Sequence, residues 1–374
     1  MKPAFLLAIL VASLAYASPV EQMNRAFNAL TDLVPYLTND KKFMEKKNGP
    51  VIEKGIAELQ SAFKAAGHDA LLKEDLFAPS YAVINQNLSD SLTSFRQGKK
   101  DYSLWRLKEV TSHCLDCHTR LPPSHASSFQ NGKIQIDTSK FDHVYNLGVA
   151  QLIVRRYVDA KASFTRDIQD RLIKKDVEDI DLPFKQILLI DTKVLKEPAN
   201  LIAFFKTYQK NTAVPEVMRL ILKAWIEDLE HWKGNKYLNK GLKTDQDIEK
   251  FIKDELKPLE NEALYDGTHD VPLLMTSGLL SNYLFENPNS KMAPEISYWL
   301  GWTEKYLKRE QFFGSGDLFL KQCIKRYPNN PVAKKCLEAY RESIEFEFSG
   351  SAGTNLPEDI KRELKDLEKL IFKK

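Results

Sequence analysis

The sequence has little cysteine, little glycine, almost no net charge and a single long apolar run. Four Cys in 374 residues are too few for a disulfide-dense scaffold. Fifteen Gly argue against a sheet-and-turn-rich all-β fold, and abundant Lys, Glu, Leu and Ala favour helices. With 54 Lys and Arg against 51 Asp and Glu, the formal charge is +3. No basic stripe for nucleic acid stands out. A mean hydropathy of -0.39 excludes a polytopic membrane protein. Gly-x-Ser-x-Gly, His-Glu-x-x-His and a phosphate loop are all missing, so nothing points to hydrolysis. What is present is a 43% hydrophobic chain with 20 Phe, 14 Tyr and 5 Trp. That is enough to build cores, excludes a wholly disordered chain, and suits about two or three domains.

The apolar run is at the start. Residues 1–17 carry one basic residue, Lys2, then an apolar stretch ending Ala15-Tyr16-Ala17. This is the pattern of a secretory signal cleaved after Ala17. The run is short for a bilayer span, which takes about 20 residues. No Cys follows it to carry a lipid. The mature chain is expected in an oxidising compartment, most simply a bacterial periplasm, with no stable membrane insertion.

Residues 18–122 predict four amphipathic helices with short connections, an up-down-up-down bundle. The first stripe is Met23, Phe27, Leu30, Val34 and Leu37. The second helix follows Asn48-Gly49-Pro50 with Ile52, Ile56, Leu59 and Phe63, and stops near Gly67. The third follows Pro79-Ser80 with Tyr81, Ile84, Leu88, Leu92 and Phe95. The fourth runs from about Asp101 through Leu104, Leu107, Val110, Cys114 and Cys117 until Pro122-Pro123 stops it.

Residues 123–140 are polar and read as a linker, and helical patterning resumes over 141–348. There Leu147-Gly148, Tyr157, Ala160 and Phe164 keep the spacing of tetratricopeptide repeats. Gly148 and Ala160 would let two helices approach closely, with Phe164 filling the layer toward the next pair. Leu300-Gly301, Leu320, Cys323 and Tyr327-Pro328 look like a second unit. Between them, 184–196, 201–208, 214–232 and 248–259 read as helices without the full signature. Residues 349–374 read as a polar break and a charged terminal helix. The expected fold class is all-α: a four-helix-bundle domain followed by a repeat-like helical domain.

The motif that carries chemistry is Cys114-Leu115-Asp116-Cys117-His118, the attachment signature of c-type haem. Two thiols one helical turn apart add to the two vinyl groups of the porphyrin, and the adjoining His118 offers its imidazole to the iron. Export agrees, because such haem is attached outside the cytoplasm. The expected cofactor is one covalently attached haem c, with thioethers at Cys114 and Cys117 and His118 as proximal ligand. A zinc site would need two further ligands, and no second Cys-x-x-Cys exists; a thioredoxin-like pair would need a strand–helix context; a bare structural disulfide is the third rival.

With the motif at the end of the fourth helix, residues 18–122 resemble the class II, cytochrome c-prime-like cytochromes. That group holds haem near the end of the last helix of a four-helix bundle. Arg120, close behind the His, belongs to the resemblance. The chain departs from the group where Leu121-Pro122 replace its usual aromatic and basic residues.

For the sixth iron position there are two candidates. Asp101 to His118 spans about 25 Å of helix and Leu37 back to Met23 about 21 Å, so Met23 reaches the haem level within roughly a turn. The resemblance agrees, since low-spin members use a Met of the first helix. His68, just past Gly67 at the same end, is the alternative; the position could also be open. Met ligation would raise the reduction potential relative to a second His. His113 and His125 read as surface and loop residues, Arg106 and Arg120 as partners for propionates or solvent, and Trp105 as a packing residue. Cys323 and Cys336, level across a helical turn at Asn329-Asn330, are expected to pair.

The function these features predict is electron transfer by a periplasmic monohaem cytochrome. Its helical repeats would dock an unidentified redox partner or another protein. The alternatives are a haem-based sensor or gas-binding protein and an interaction scaffold with structural haem. A peroxidase lacks assignable distal acid–base groups, so no enzymatic activity is expected.

Overall fold

The computed structural model describes residues 19–372 apart from 68–69, 122–135, 263, 265, 310–311, 313 and 352. The expected signal segment, His68, His125 and most of the expected linker lie outside the described residues. The fold is all-α. Among the described residues the one strand pairing is Ser349–Gly350 against Gly353–Thr354.

The N-terminal half contains α1 (Pro19–Leu37), α2 (Asp40–Met44), α3 (Gly49–Ala66), α4 (Ala78–Arg96) and α5 (Lys100–Arg120). The apolar stripes face inward: Phe27, Leu30, Val34 and Leu37 of α1 pack with Ile52, Ile56 and Leu59 of α3 and Leu104, Leu107 and Val110 of α5 in one core. Short α2 is capped by the Asn39 side chain, which accepts from the Lys42 amide at 3.0 Å. Helices α3 and α4 run antiparallel, tied at one end by Tyr81 Oη donating to the Phe63 carbonyl at 2.9 Å and at the other by Arg96 to Glu53 at 2.8 Å. Helices α4 and α5 are likewise antiparallel, with Ser91 and Ser103 hydroxyls 2.8 Å apart near one end and Arg120 bonded to Ser80 near the other.

The C-terminal half contains α6 (Val144–Ile153), α7 (Tyr157–Lys174), α8 (Asp181–Leu189), α9 (Pro198–Gln209), α10 (Glu216–Lys233), α11 (Lys236–Lys240), α12 (Asp245–Phe251) and α13 (Lys257–Leu259). It continues through α14 (Asp270–Glu286), α15 (Ala293–Arg309), α16 (Gly316–Arg326), α17 (Val332–Glu347) and α18 (Glu358–Phe372). A π-helical turn, Ile190–Val194, extends α8. Close packing within helix pairs depends on small residues. A Cβ on Gly148 would lie 2.6 Å from the Phe164 ring, and one on Gly301 2.6 Å from Leu320. Phe164 thus covers Gly148 inside its own pair rather than only facing the next one. Between α16 and α17, Cys323 and Cys336 form a disulfide across Cα atoms 6.3 Å apart.

The two halves share one continuous apolar core. Helix α5 packs against α4 and α1 on one side and against α6, α14 and the π-turn on the other. The end of the expected linker folds back on the first half: Lys140 pairs with Asp32 at 2.9 Å and Asp142 with Lys42 at 2.6 Å. Among the described residues, no helix is long and apolar enough to cross a membrane.

Candidate functional site

The last turn and a half of α5 is buried on nearly every side. Cys114, Leu115, Asp116, His118, Thr119 and Arg120 are all buried, and Cys117 is half-buried. An amphipathic helix on a bundle surface would expose Asp116 and Arg120. Here the C-terminal half covers that face, so the two charges must find partners without water.

They find each other first. Arg120 Nη2 donates to Asp116 Oδ2 one turn back, and Arg120 Nη1 donates to the Leu76 carbonyl at 2.8 Å and to Ser80 Oγ at 3.2 Å. The guanidinium also lies 4.4 Å over the Phe319 ring. Lys193, on the π-turn, reaches between the halves: its Nζ is 2.7 Å from Glu304 Oε1 and 3.6 Å from Asp116 Oδ1. Ser277 donates to the same Glu304 oxygen. Helix α14 can lie this close because residue 278 is glycine; a Cβ there would sit 2.3 Å from the Lys193 carbonyl oxygen. Burial lowers the Lys193 pKa, although Glu304 opposes it. Burial would raise the Glu304 carboxyl, but Lys193 and Arg120 outweigh it and hold it below its ordinary value.

The thiols of Cys114 and Cys117 are unbridged, unlike Cys323 and Cys336. Burial pushes both up to about 12, with Ser80 and Lys193 partly opposing it at Cys117. They are neutral thiols at physiological pH. The His118 ring stands edge-on to Phe27 of α1, centroids 5.0 Å apart. Its Nδ1 is 2.6 Å from the Ile153 carbonyl oxygen. A carbonyl can only accept, so Nδ1 carries the proton and Nε2 keeps its lone pair. Burial, helped by Arg155, lowers the imidazole pKa to about 4, leaving it neutral as a metal ligand must be.

The other candidates are spread more widely. Met23 is partly buried and packed against the core, one turn before Phe27 on the same face of α1. His113 is not the surface residue expected. Its Nδ1 is 3.3 Å from Ser315 Oγ, and burial lowers it to about 4, because the α15–α16 connection covers this side of α5. Arg106 bonds Asn87 at 3.0 Å and Tyr102 at 2.8 Å, away from the motif. Trp105 is half exposed under the Arg106 guanidinium rather than packed in the bundle. Sequence reasoning missed Lys193, Glu304 and Arg155, which lie far along the chain from the motif. The one local signal was the i, i+4 spacing of Asp116 and Arg120.

Among the described residues no three His, Cys, Asp or Glu side chains converge as a metal cluster. The donor set suits haem c. It offers two unbridged thiols one turn apart and a neutral imidazole whose second nitrogen is anchored to a carbonyl, the usual arrangement of a metal-ligating His. No protein-family model, no curated protein and no solved structure matches the chain.

Proposed function

We propose that the protein is an exported monohaem c-type cytochrome. Its N-terminal half is a four-helix bundle of the cytochrome c-prime kind, its C-terminal half a tetratricopeptide-like array, and its function electron transfer to or from a partner protein in the periplasm. The observation that carries this reading is the state of His118. It stands beside two unbridged thiols in Cys-x-x-Cys-His, neutral, with Nδ1 anchored on Ile153 and Nε2 left for iron.

In this reading Cys114 and Cys117 hold the porphyrin by thioethers and His118 is the proximal ligand. Haem c supplies a one-electron Fe(III)/Fe(II) couple. The chain's own residues fix the imidazole tautomer and keep water from the attachment turn. They also pair Asp116 with Arg120, so that the buried motif turn carries no lone charge. Met23, partly buried against the core on α1, would be the favoured sixth ligand. His68 remains the alternative.

A second reading has its own support. Lys193 joins the motif residue Asp116 to Glu304 in the C-terminal half, a link that would suit a haem sensor passing a signal onward. One experiment separates these. The full chain, made in a host competent for cytochrome maturation, is examined as pyridine haemochrome and then reduced under CO. Electron transfer predicts a covalent, six-coordinate low-spin haem indifferent to CO. A CO complex would favour the sensor, and a colourless product at bare polypeptide mass would overturn both.

A further inference from the structure

The C-terminal half was expected to dock a partner, yet its first helical turn also grips the motif. Between α6 and α7 the chain reverses at Arg155, whose φ of 61° is left-handed. For a residue with a side chain that conformation costs roughly 1 kcal/mol. The turn is closed by Arg155 N to the Leu152 carbonyl at 3.0 Å and Arg156 N to the Gln151 carbonyl at 2.8 Å.

Three hydrogen bonds join this turn to His118 and Leu121 at the end of α5. The Ile153 carbonyl accepts from His118 Nδ1 at 2.6 Å, Tyr157 Oη donates to the His118 carbonyl at 3.4 Å, and Arg155 Nη2 donates to the Leu121 carbonyl at 3.0 Å. Arg155 Nε donates to Tyr157 Oη at 2.9 Å, locking the two side chains together. Arg155 is 0% and Tyr157 4% exposed. The His118 and Leu121 carbonyls, two of those left over where α5 ends, are thus satisfied by the second half of the molecule. Strain held in place by such bonds is characteristic of positioning elements.

We infer that the Ile153–Tyr157 turn is the positioning element for His118, with Arg155 and Tyr157 holding the Ile153 carbonyl against the imidazole so that Nε2 is presented to the iron. This rests on the haem reading above. It assigns the C-terminal half a part in setting the iron's ligand field as well as in docking. A carbonyl on Nδ1 strengthens the imidazole as a donor, so any movement of α6–α7 would be felt at the iron.

The test has two arms on the full chain. In haem-free protein, made without the maturation machinery, nitrogen NMR of labelled histidine reads the His118 tautomer. The expected result is the Nδ1-protonated form; an Nε2-protonated ring would overturn the inference. In haem-loaded protein, solvent exchange of the His118 Nδ1 proton is compared between the parent and Arg155→Gly. Glycine tolerates the left-handed turn and removes the whole Arg155 side chain, guanidinium included.

Exchange is expected to be about tenfold faster in the variant, with circular dichroism unchanged. Unchanged exchange in a folded variant would mean that Arg155 serves the turn alone, and would overturn the inference. Tyr157→Phe, which keeps the ring, is expected to act in the same direction, and covers the case in which Arg155→Gly fails to fold. Nδ1-protonated His118 in a chain that never acquires haem would overturn the haem reading, and the turn's purpose with it. Haem attachment to a chain whose haem-free His118 is Nε2-protonated would overturn the inference alone.

Discussion

His118 is kept neutral chiefly by burial, with Arg155 adding to the effect, and the bond to Ile153 only partly opposes them. The sign of the consequence follows. As pH falls through the ordinary value of 6.5, an unfolded chain takes up a proton that the folded ring refuses until about 4. Stability from this group is therefore full above 6.5 and is lost progressively down to about 4. His113 behaves alike, lowered to about 4 by burial, then by Arg120 and Lys308. Urea unfolding of the haem-free chain at several pH values should show a fall of up to about 3 kcal/mol per histidine. His113→Gln should remove one share of the slope, and a flat profile would contradict the assignment. At the same scale, Cys114→Ser or Cys117→Ser should reduce attachment to a single thioether at most, read by intact mass and the haemochrome spectrum; retention of both bonds would refute the motif. These residues were legible because the motif occupies five adjacent positions. The carbonyl of Ile153 was not, since a backbone oxygen has no sequence signature and the turn bearing it is 35 residues from His118.

Helices with one apolar stripe were legible; the one without was not. The breaks at Gly49-Pro50, Pro79 and Pro122 mark the starts of α3 and α4 and the end of α5 to within two residues. But α3 begins at Gly49 and α4 at Ala78, so Pro50 and Pro79 each stand in the first turn, where the missing N–H is no loss, rather than before it. Helix α14 was passed over because it is buried from Asp270 to Leu284 with the exception of Asn282, and a helix covered all round shows no 3.6-residue period. Its register still depends on one small residue. Gly278→Ala would drive a Cβ to 2.3 Å from the Lys193 carbonyl oxygen, which backbone cannot easily yield. A loss of about 1–3 kcal/mol is expected in chemical denaturation, and an unchanged midpoint would show that α14 can slide. The Cys323–Cys336 bridge closes a loop of sequence separation 13. Replacing both by Ala should cost about 2–3 kcal/mol in chemical denaturation; an unchanged midpoint would contradict this.

At the scale of the whole molecule the main surprise is how little separates the halves. Sequence composition marks a polar stretch at 123–140, which reads as a joint between independent units. It carries no information about which faces meet across it, and the buried faces here meet through charge. Lys193 and Glu304, each 1% exposed at the side chain, stand 2.7 Å apart with Asp116 alongside. A buried pair of this kind adds little net stability over apolar residues, but losing one member leaves a charge in low dielectric. Lys193→Met alone should therefore destabilise the full chain by about 3–5 kcal/mol. The double variant Lys193→Met with Glu304→Gln should recover much of that loss, a coupling that separate variants do not show. Asp116 makes the experiment diagnostic of communication between the halves. Because Lys193 also neutralises this motif residue, Lys193→Met should perturb the His118 resonances as well as global stability, whereas Gly278→Ala should act on both only through packing. If Lys193→Met lowered stability while leaving every His118 signal in place, the halves would be joined mechanically and not electrically, and the sensor reading would lose its support.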